Sequence, residues 1–244
     1  MKSPAETADE PVGAVTTSRR PTPTELVAET WHVVQDLPVF LTAPLYRRWH
    51  LRWGATAAEA TGPLPGDALV PAAQYCSTRA ITIAAPPSQV WPWLVQVGCM
   101  RAGFYGNDLL DNLARPSAAT IIPALQHLAV GQLIPMSPPG TASDRTAFKV
   151  HSFRVNEWLL WSKPDSTWAW SLTPTGSDET RLVTRIRAVY EWQHPLAGLT
   201  ALVLMEFGDF AMLRRMLRGI KARAEAGQLS LYNPLAIADY GPQA

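Results

Sequence analysis

The chain has little charge and almost no cysteine. Charged residues make up 17% of its 244 positions, and the net charge is +1. No bulk field of either sign points to nucleic acid as a partner. The two cysteines, Cys76 and Cys99, form no CxxC and sit at no metal-ligand spacing from a histidine. That excludes a disulfide framework and a zinc site, and fits two free core thiols in a reducing compartment. The histidines at 32, 50, 127, 151 and 194 are scattered. There is no GxSxG, HExxH, phosphate loop or GxGxxG, so no nucleophile triad, metal or cofactor is expected. Long hydrophobic runs are missing too. The longest, 196–205, is stopped by Glu206 and is too short to cross a bilayer. Lys2 is followed by no apolar run, so no secretory signal is expected and the location reads as cytoplasmic.

What is present is apolar and aromatic. Apolar residues make up 47%, with ten tryptophans. A chain of this length buries roughly 70% of its unfolded surface, enough for a sizeable core. One enclosed tryptophan buries about 150–250 Å², so ten of them imply either a tight core or a cavity with aromatic walls.

Residues 1–24 are rich in Pro, Thr, Ser, Ala and Glu and read as a disordered tail. Residues 25–62 read as a helical extension. Leu26, Val27, Trp31 and Val34 recur at helical spacing, with Thr24 as the cap and Pro38 as the stop. The stretch 41–53 places Arg47, Arg48, His50 and Arg52 among Leu45, Tyr46, Trp49, Leu51 and Trp53. It suits a membrane-surface or partner helix, or a helix packed outside the domain with its basic groups in water. Residues 62–67, Gly-Pro-Leu-Pro-Gly-Asp, read as a linker into the main domain, 63–227.

In that domain, 75–84 alternates as a strand, followed by a short helix around Val90, Leu94 and Val97 and another at 107–113. Strands are expected at 133–136, 148–155, 157–162, 168–173 and 181–192. In the last, Leu182, Thr184, Ile186, Ala188, Tyr190 and Trp192 share one face. Arg181, Arg185, Arg187 and Glu191 share the other, which is expected to be wet. A long amphipathic helix follows, with Leu199, Val203, Phe210, Leu213, Leu217 and Ile220 on one stripe, ending near Gly227. Residues 228–244 read as a tail. The class is α+β: an antiparallel sheet whose buried face is covered by one long C-terminal helix, with an apolar pocket between them.

Three segments resemble the START and polyketide-cyclase-like (SRPBCC) superfamily over about 47–226. They are Thr78-Arg79-Ala80-Ile81-Thr82-Ile83 with Val90-Trp91-Pro92-Trp93-Leu94; Gly98 to Asn112, with Arg101-Ala102-Gly103-Phe104-Tyr105; and Met212 to Ala224. The last two, and the lead-in Trp49-His50-Leu51-Arg52-Trp53-Gly54-Ala55-Thr56, are similar to one bacterial subgroup. The resemblance implies a helix-grip fold with a hydrophobic-ligand cavity between sheet and helix. It does not imply one activity, since members include lipid carriers, hormone receptors and aromatic-polyketide cyclases.

Glu206 is the most informative single residue. It lies at the centre of the apolar stripe between Val203 and Phe210, with Asp209 at the edge. A carboxylate there is a cavity acid that meets a ligand or moves a proton, a structural partner of Arg79, or an exposed group. Tyr190 and Trp192, like Trp168 and Trp170, suit either cavity walls or plain core. Arg101, Tyr105 and Asp108 suit polar recognition at the cavity mouth, or an Arg–Asp surface pair with Tyr105 beneath it. His151 lies between Lys149 and Phe153, which disagree about the inward face, and takes no role.

The expected function is binding or carrying an apolar small molecule, lipid-like or aromatic, with no nucleic acid involved. Arg79, Arg101, Tyr105, Trp168, Trp170, Tyr190, Trp192, Glu206 and Phe210 are the candidate ligand residues. The first alternative is a cyclase or dehydratase with Glu206 as its acid/base. The second is membrane or partner contact through Arg47, Arg48 and Arg52. Oligomeric state is not readable from the sequence.

Overall fold

A computed structural model describes residues 20–138, 146–190 and 192–232. Most of the expected 1–24 tail, and the 233–244 part of the expected C-terminal tail, lie outside the described residues. Helix α1, Pro23–Thr42, is capped by Thr22 in a capping box with Glu25, two residues earlier than the cap expected at Thr24. Pro38 lies inside the helix instead of ending it. It removes one N–H, but both Pro38 and Val34 are exposed, so the carbonyl it frees faces water. One-turn helix α2, Arg47–His50, leads into residues 51–54.

These residues then seal a sheet edge. β1, Tyr75–Ile83, is an edge strand, and its Thr78 and Ala80 N–H groups donate to Leu51 and Trp53 carbonyls at 2.8 and 3.1 Å. Gly54 follows at φ +73°, where an added Cβ would sit 2.1 Å from the Ala80 carbonyl oxygen. The lead-in packs along the sheet edge through these two hydrogen bonds.

α3, Ala57–Thr61, precedes β1; α4, Pro87–Val95, and α5, Asp108–Asp111, follow it. Then come β2, Leu133–Pro135; β3, Ala147–Arg154; β4, Trp158–Lys163; β5, Ser166–Gly176; and β6, Glu179–Ala188. All pairs are antiparallel, in the order β1-β6-β5-β4-β3-β2. The C-terminal helix has three parts: α6, Pro195–Val203; a π-helical turn, Leu204–Gly208; and α7, Asp209–Tyr232, which passes the expected end at Gly227. Leu213, Leu217 and Ile220 of α7 join the sheet's inner residues and α4 in one core. This is the helix-grip arrangement that the resemblance implied.

Three local expectations change. β6 stops at Ala188, because both neighbours give out there: Ala188 pairs with Tyr75, the first residue of β1, and with Ser166, the first of β5. Trp192 is therefore off the strand and 51% exposed. The outer face of β6 is not wet. Arg185 is buried, donating to the Glu59, Ala60 and Gly62 carbonyls and to Asp67. Arg181 grips the Glu59 carboxylate, and Arg187 the Val70 and Pro71 carbonyls. The supposed linker 62–67 is a strap that these arginines tie across the sheet. His151 sits at a register shift between Val150 and Ser152, which explains why its neighbours disagreed about the inward face.

Candidate functional site

The inner face of the sheet is aromatic at its centre. Trp161 on β4 faces Trp168 on β5 across the ladder, and Trp170 shares the face of Trp168. Trp168 and Trp170 stack with centroids 5.0 Å apart, and Trp161 meets Trp168 edge-on at 5.3 Å. The Trp168 indole N–H donates to Thr184 Oγ1 at 2.8 Å, and that hydroxyl donates to the Ala169 carbonyl. Trp161 and Trp170 are fully buried, and their indole N–H groups have no acceptor among the described residues. A buried donor without an acceptor costs about 1–3 kcal/mol. Sequence reasoning missed Trp161, although its alternation with Leu159 marked the same inward face.

At the end of the sheet, the π turn sets two carboxylates three residues apart on different partners. Asp209 opens α7, and its Oδ2 accepts from Arg79 Nη1 at 2.5 Å and from the Tyr75 hydroxyl at 2.6 Å. Arg79 has no exposure, and its Nε donates to the His50 carbonyl at 2.8 Å. Burial, reinforced by the nearby Asp209 charge, pushes the Tyr75 phenol well above its ordinary range. Burial and then Arg79 hold the His50 imidazole below its usual value, so it stays neutral near pH 7. Phe210 closes this network, with its centroid 5.2 Å from the His50 ring and 5.4 Å from the Arg79 guanidinium carbon.

Glu206 does not meet Arg79. Arg47 grips both its oxygens, with Nε to Oε2 at 2.7 Å and Nη2 to Oε1 at 2.9 Å. The Tyr190 hydroxyl lies 3.4 Å from Oε1, and burial followed by the Glu206 charge pushes that phenol up to about 12. The reason for the exchange is that Asp209, at the start of α7, reaches Arg79 first, and Glu206 in the π turn faces the lead-in. Arg47, read from the sequence as either a membrane or partner contact or a solvated group, is the partner. We expect Glu206→Gln to change unfolding free energy by less than about 1 kcal/mol in denaturant titration, because Arg47 is only half-buried.

The segment 98–118 lies elsewhere. Arg101 is buried and donates to the Val97 and Val95 carbonyls at 3.3 and 3.4 Å, beside the C-terminal end of α4. It does not pair with Asp108, whose carboxylate accepts from the Ser117 N–H and hydroxyl. The Tyr105 hydroxyl donates to the Trp93 carbonyl, and the Arg223 guanidinium lies 4.6 Å from its ring centroid. The candidate ligand residues thus fall into separate groups: Trp168 and Trp170 at the centre of the inner face, Arg79, Tyr190, Glu206 and Phe210 at the helix junction, Arg101 and Tyr105 behind α4, and Trp192 outside.

Clefts among the described residues open at the surface. One of about 510 Å³ lies between α1 and α7, lined by Asp36, Tyr105, Arg214, Arg215 and Arg218 among others. Among the described residues no three His, Cys, Asp or Glu side chains come together as a metal would need.

No protein-family model and no curated protein matches the chain. Solved structures do. A polyketide-cyclase-like protein from Corynebacterium glutamicum is 16% identical over 69% of this chain and 97% of its own, with a TM-score of 0.38. A protein from Mesorhizobium loti is 16% identical over 62% of this chain and 98% of its own, with a TM-score of 0.36. One from Thermobifida fusca is 13% identical over 62% and 93%, with a TM-score of 0.37. These similarities carry neither ligand nor activity across.

Proposed function

We propose that this chain binds an apolar small molecule against the tryptophan-lined inner face of its sheet. The observation that supports it is the pair of buried indole donors, Trp161 and Trp170, without acceptors among the described residues. A ligand that satisfies them is flat and largely apolar, with an oxygen or nitrogen acceptor at one edge. Aromatic faces supply contact area, and the free N–H groups supply orientation. The acid/base alternative has less to rest on, because Arg47 occupies both Glu206 oxygens.

Two measurements test the reading. Native mass spectrometry of gently released protein should show a co-purified small molecule. Titration with anilinonaphthalene sulfonate should quench tryptophan emission. Trp170→Phe, which keeps a ring and removes the N–H, should weaken retention of the native ligand about tenfold. A protein that carries no ligand and leaves the dye's and its own fluorescence unchanged would sink the proposal.

A further inference from the structure

Helix α1 is mounted inside out. At about 100° per residue, Leu26, Val27, Trp31, Val34, Leu37 and Leu41 fall within an arc of about 140°. That arc faces away from the domain: Val27 is 70% exposed, Trp31 59% and Leu41 65%. None of the helix's residues is buried. Its charged side chains point the other way and are more enclosed, Glu29 at 20% and Asp36 at 17% side-chain exposure. Asp36 pairs with Arg215 of α7, whose Nη2 also donates to the His32 carbonyl.

The ridge continues past α1. Leu45 and Trp49 are 85% and 56% exposed, and the π turn, packed against α1 and residues 43–46, adds exposed Leu204, next to exposed Val203 at the end of α6. Leaving several large apolar groups in water while enclosing carboxylates reverses the usual economy of a surface helix.

Charge says what covers the ridge. Arg48 and Arg52, at its α2 end, are exposed and have no ion-pair partner among the described residues. The α1 carboxylates are engaged: Glu25 with Thr22, Glu29 with His32, and Asp36 with Arg215. The face is apolar, with two tryptophans along it and, at one end, two cations unpaired among the described residues. Trp side chains favour the headgroup level of a bilayer, and exposed arginine favours anionic lipid. No described helix is long and apolar enough to cross a membrane, so α1 would lie on one.

We infer that the ridge from Leu26 to Trp49 docks the chain onto an anionic lipid surface, with α1 parallel to the bilayer and Arg48 and Arg52 at the headgroups. This goes beyond the ligand proposed above and stands or falls without it. The test is flotation of the full chain with vesicles of phosphatidylcholine, or of equal phosphatidylcholine and phosphatidylglycerol. Binding should be stronger to the second and weaken with salt. Val27→Asp with Trp31→Asp should cut partitioning at least about tenfold on both vesicle types while leaving the melting temperature unchanged. Arg48→Glu with Arg52→Glu should lower only the phosphatidylglycerol component. Failure to float with either vesicle overturns the inference. So does a concentration-dependent dimer in sedimentation equilibrium that the aspartate variants abolish, since a second copy would then be the occupant. The dye and mass-spectrometric tests are unaffected by either outcome.

Discussion

Asp209→Ala should destabilise the chain by about 3–5 kcal/mol, the largest loss we expect from one side chain outside the aromatic core. The argument is the environment of Arg79. It is fully enclosed, and Asp209 is the carboxylate on its guanidinium. Removing Asp209 leaves a buried cation beside the Tyr75 hydroxyl, the neutral His50 ring and the Phe210 face, none of which carries negative charge. At this chain length each kcal/mol shifts the melting temperature by about 2–4 °C, so a fall of roughly 10 °C is expected. Asp209→Asn keeps an acceptor for Tyr75 and should lose nearly as much, because the charge is what Arg79 lacks. Combining Asp209→Leu with Arg79→Met should recover much of the loss, since removing both partners leaves no unpaired charge. A single-variant loss below about 1 kcal/mol would mean that water reaches Arg79.

The same residues show which parts of the molecule were legible in the sequence. The sheet was, because apolar and arginine positions alternate along its longest regular stretch: Leu182, Thr184 and Ile186 against Arg181, Arg185 and Arg187. What alternation could not say is what lies on the arginine face. The strap that covers it is tied mainly by backbone carbonyls, at Gly62, Val70 and Pro71, and carbonyls leave no mark on residue type. The end of β6 depended on where β1 and β5 begin, which is a pairing property and not one of the strand itself. Glu206 stood out as a carboxylate on an apolar stripe, and of the readings left open the pairing with Arg79 is the one that Arg47 displaces. The π turn at 204–208 breaks the uniform 100° step on which that stripe was drawn. Helix α1 was legible only in part. Its apolar periodicity was plain, and periodicity marks a face without saying which way it points.

The second large effect concerns pH and comes from α5. Burial pushes the Asp111 carboxyl up to about 8, helped by the nearby Asp108 and Glu29 charges and opposed by the Asn107 N–H, which donates to Oδ2 at 3.2 Å. Its Oδ1 has no partner among the described residues. In the unfolded chain the group titrates near 3.9. Between about pH 4 and pH 8 the folded state therefore holds a proton that the unfolded state has lost. Stability falls as pH rises through that window, by at most about 1.4 kcal/mol per unit, and levels off above it. This slope is opposite to the usual one for a paired carboxylate such as Glu59, which Arg181 holds at about 2 and which stabilises at neutral pH. Asp111→Asn removes the ionisation and keeps an oxygen for the Asn107 N–H. It should stabilise the chain by a few kcal/mol near pH 8, by little near pH 4, and flatten the profile between them. Denaturant titrations at several pH values would decide it. If wild type and Asp111→Asn run parallel across the window, the carboxylate is solvated and α5 opens to water more readily than its packing against α1 suggests.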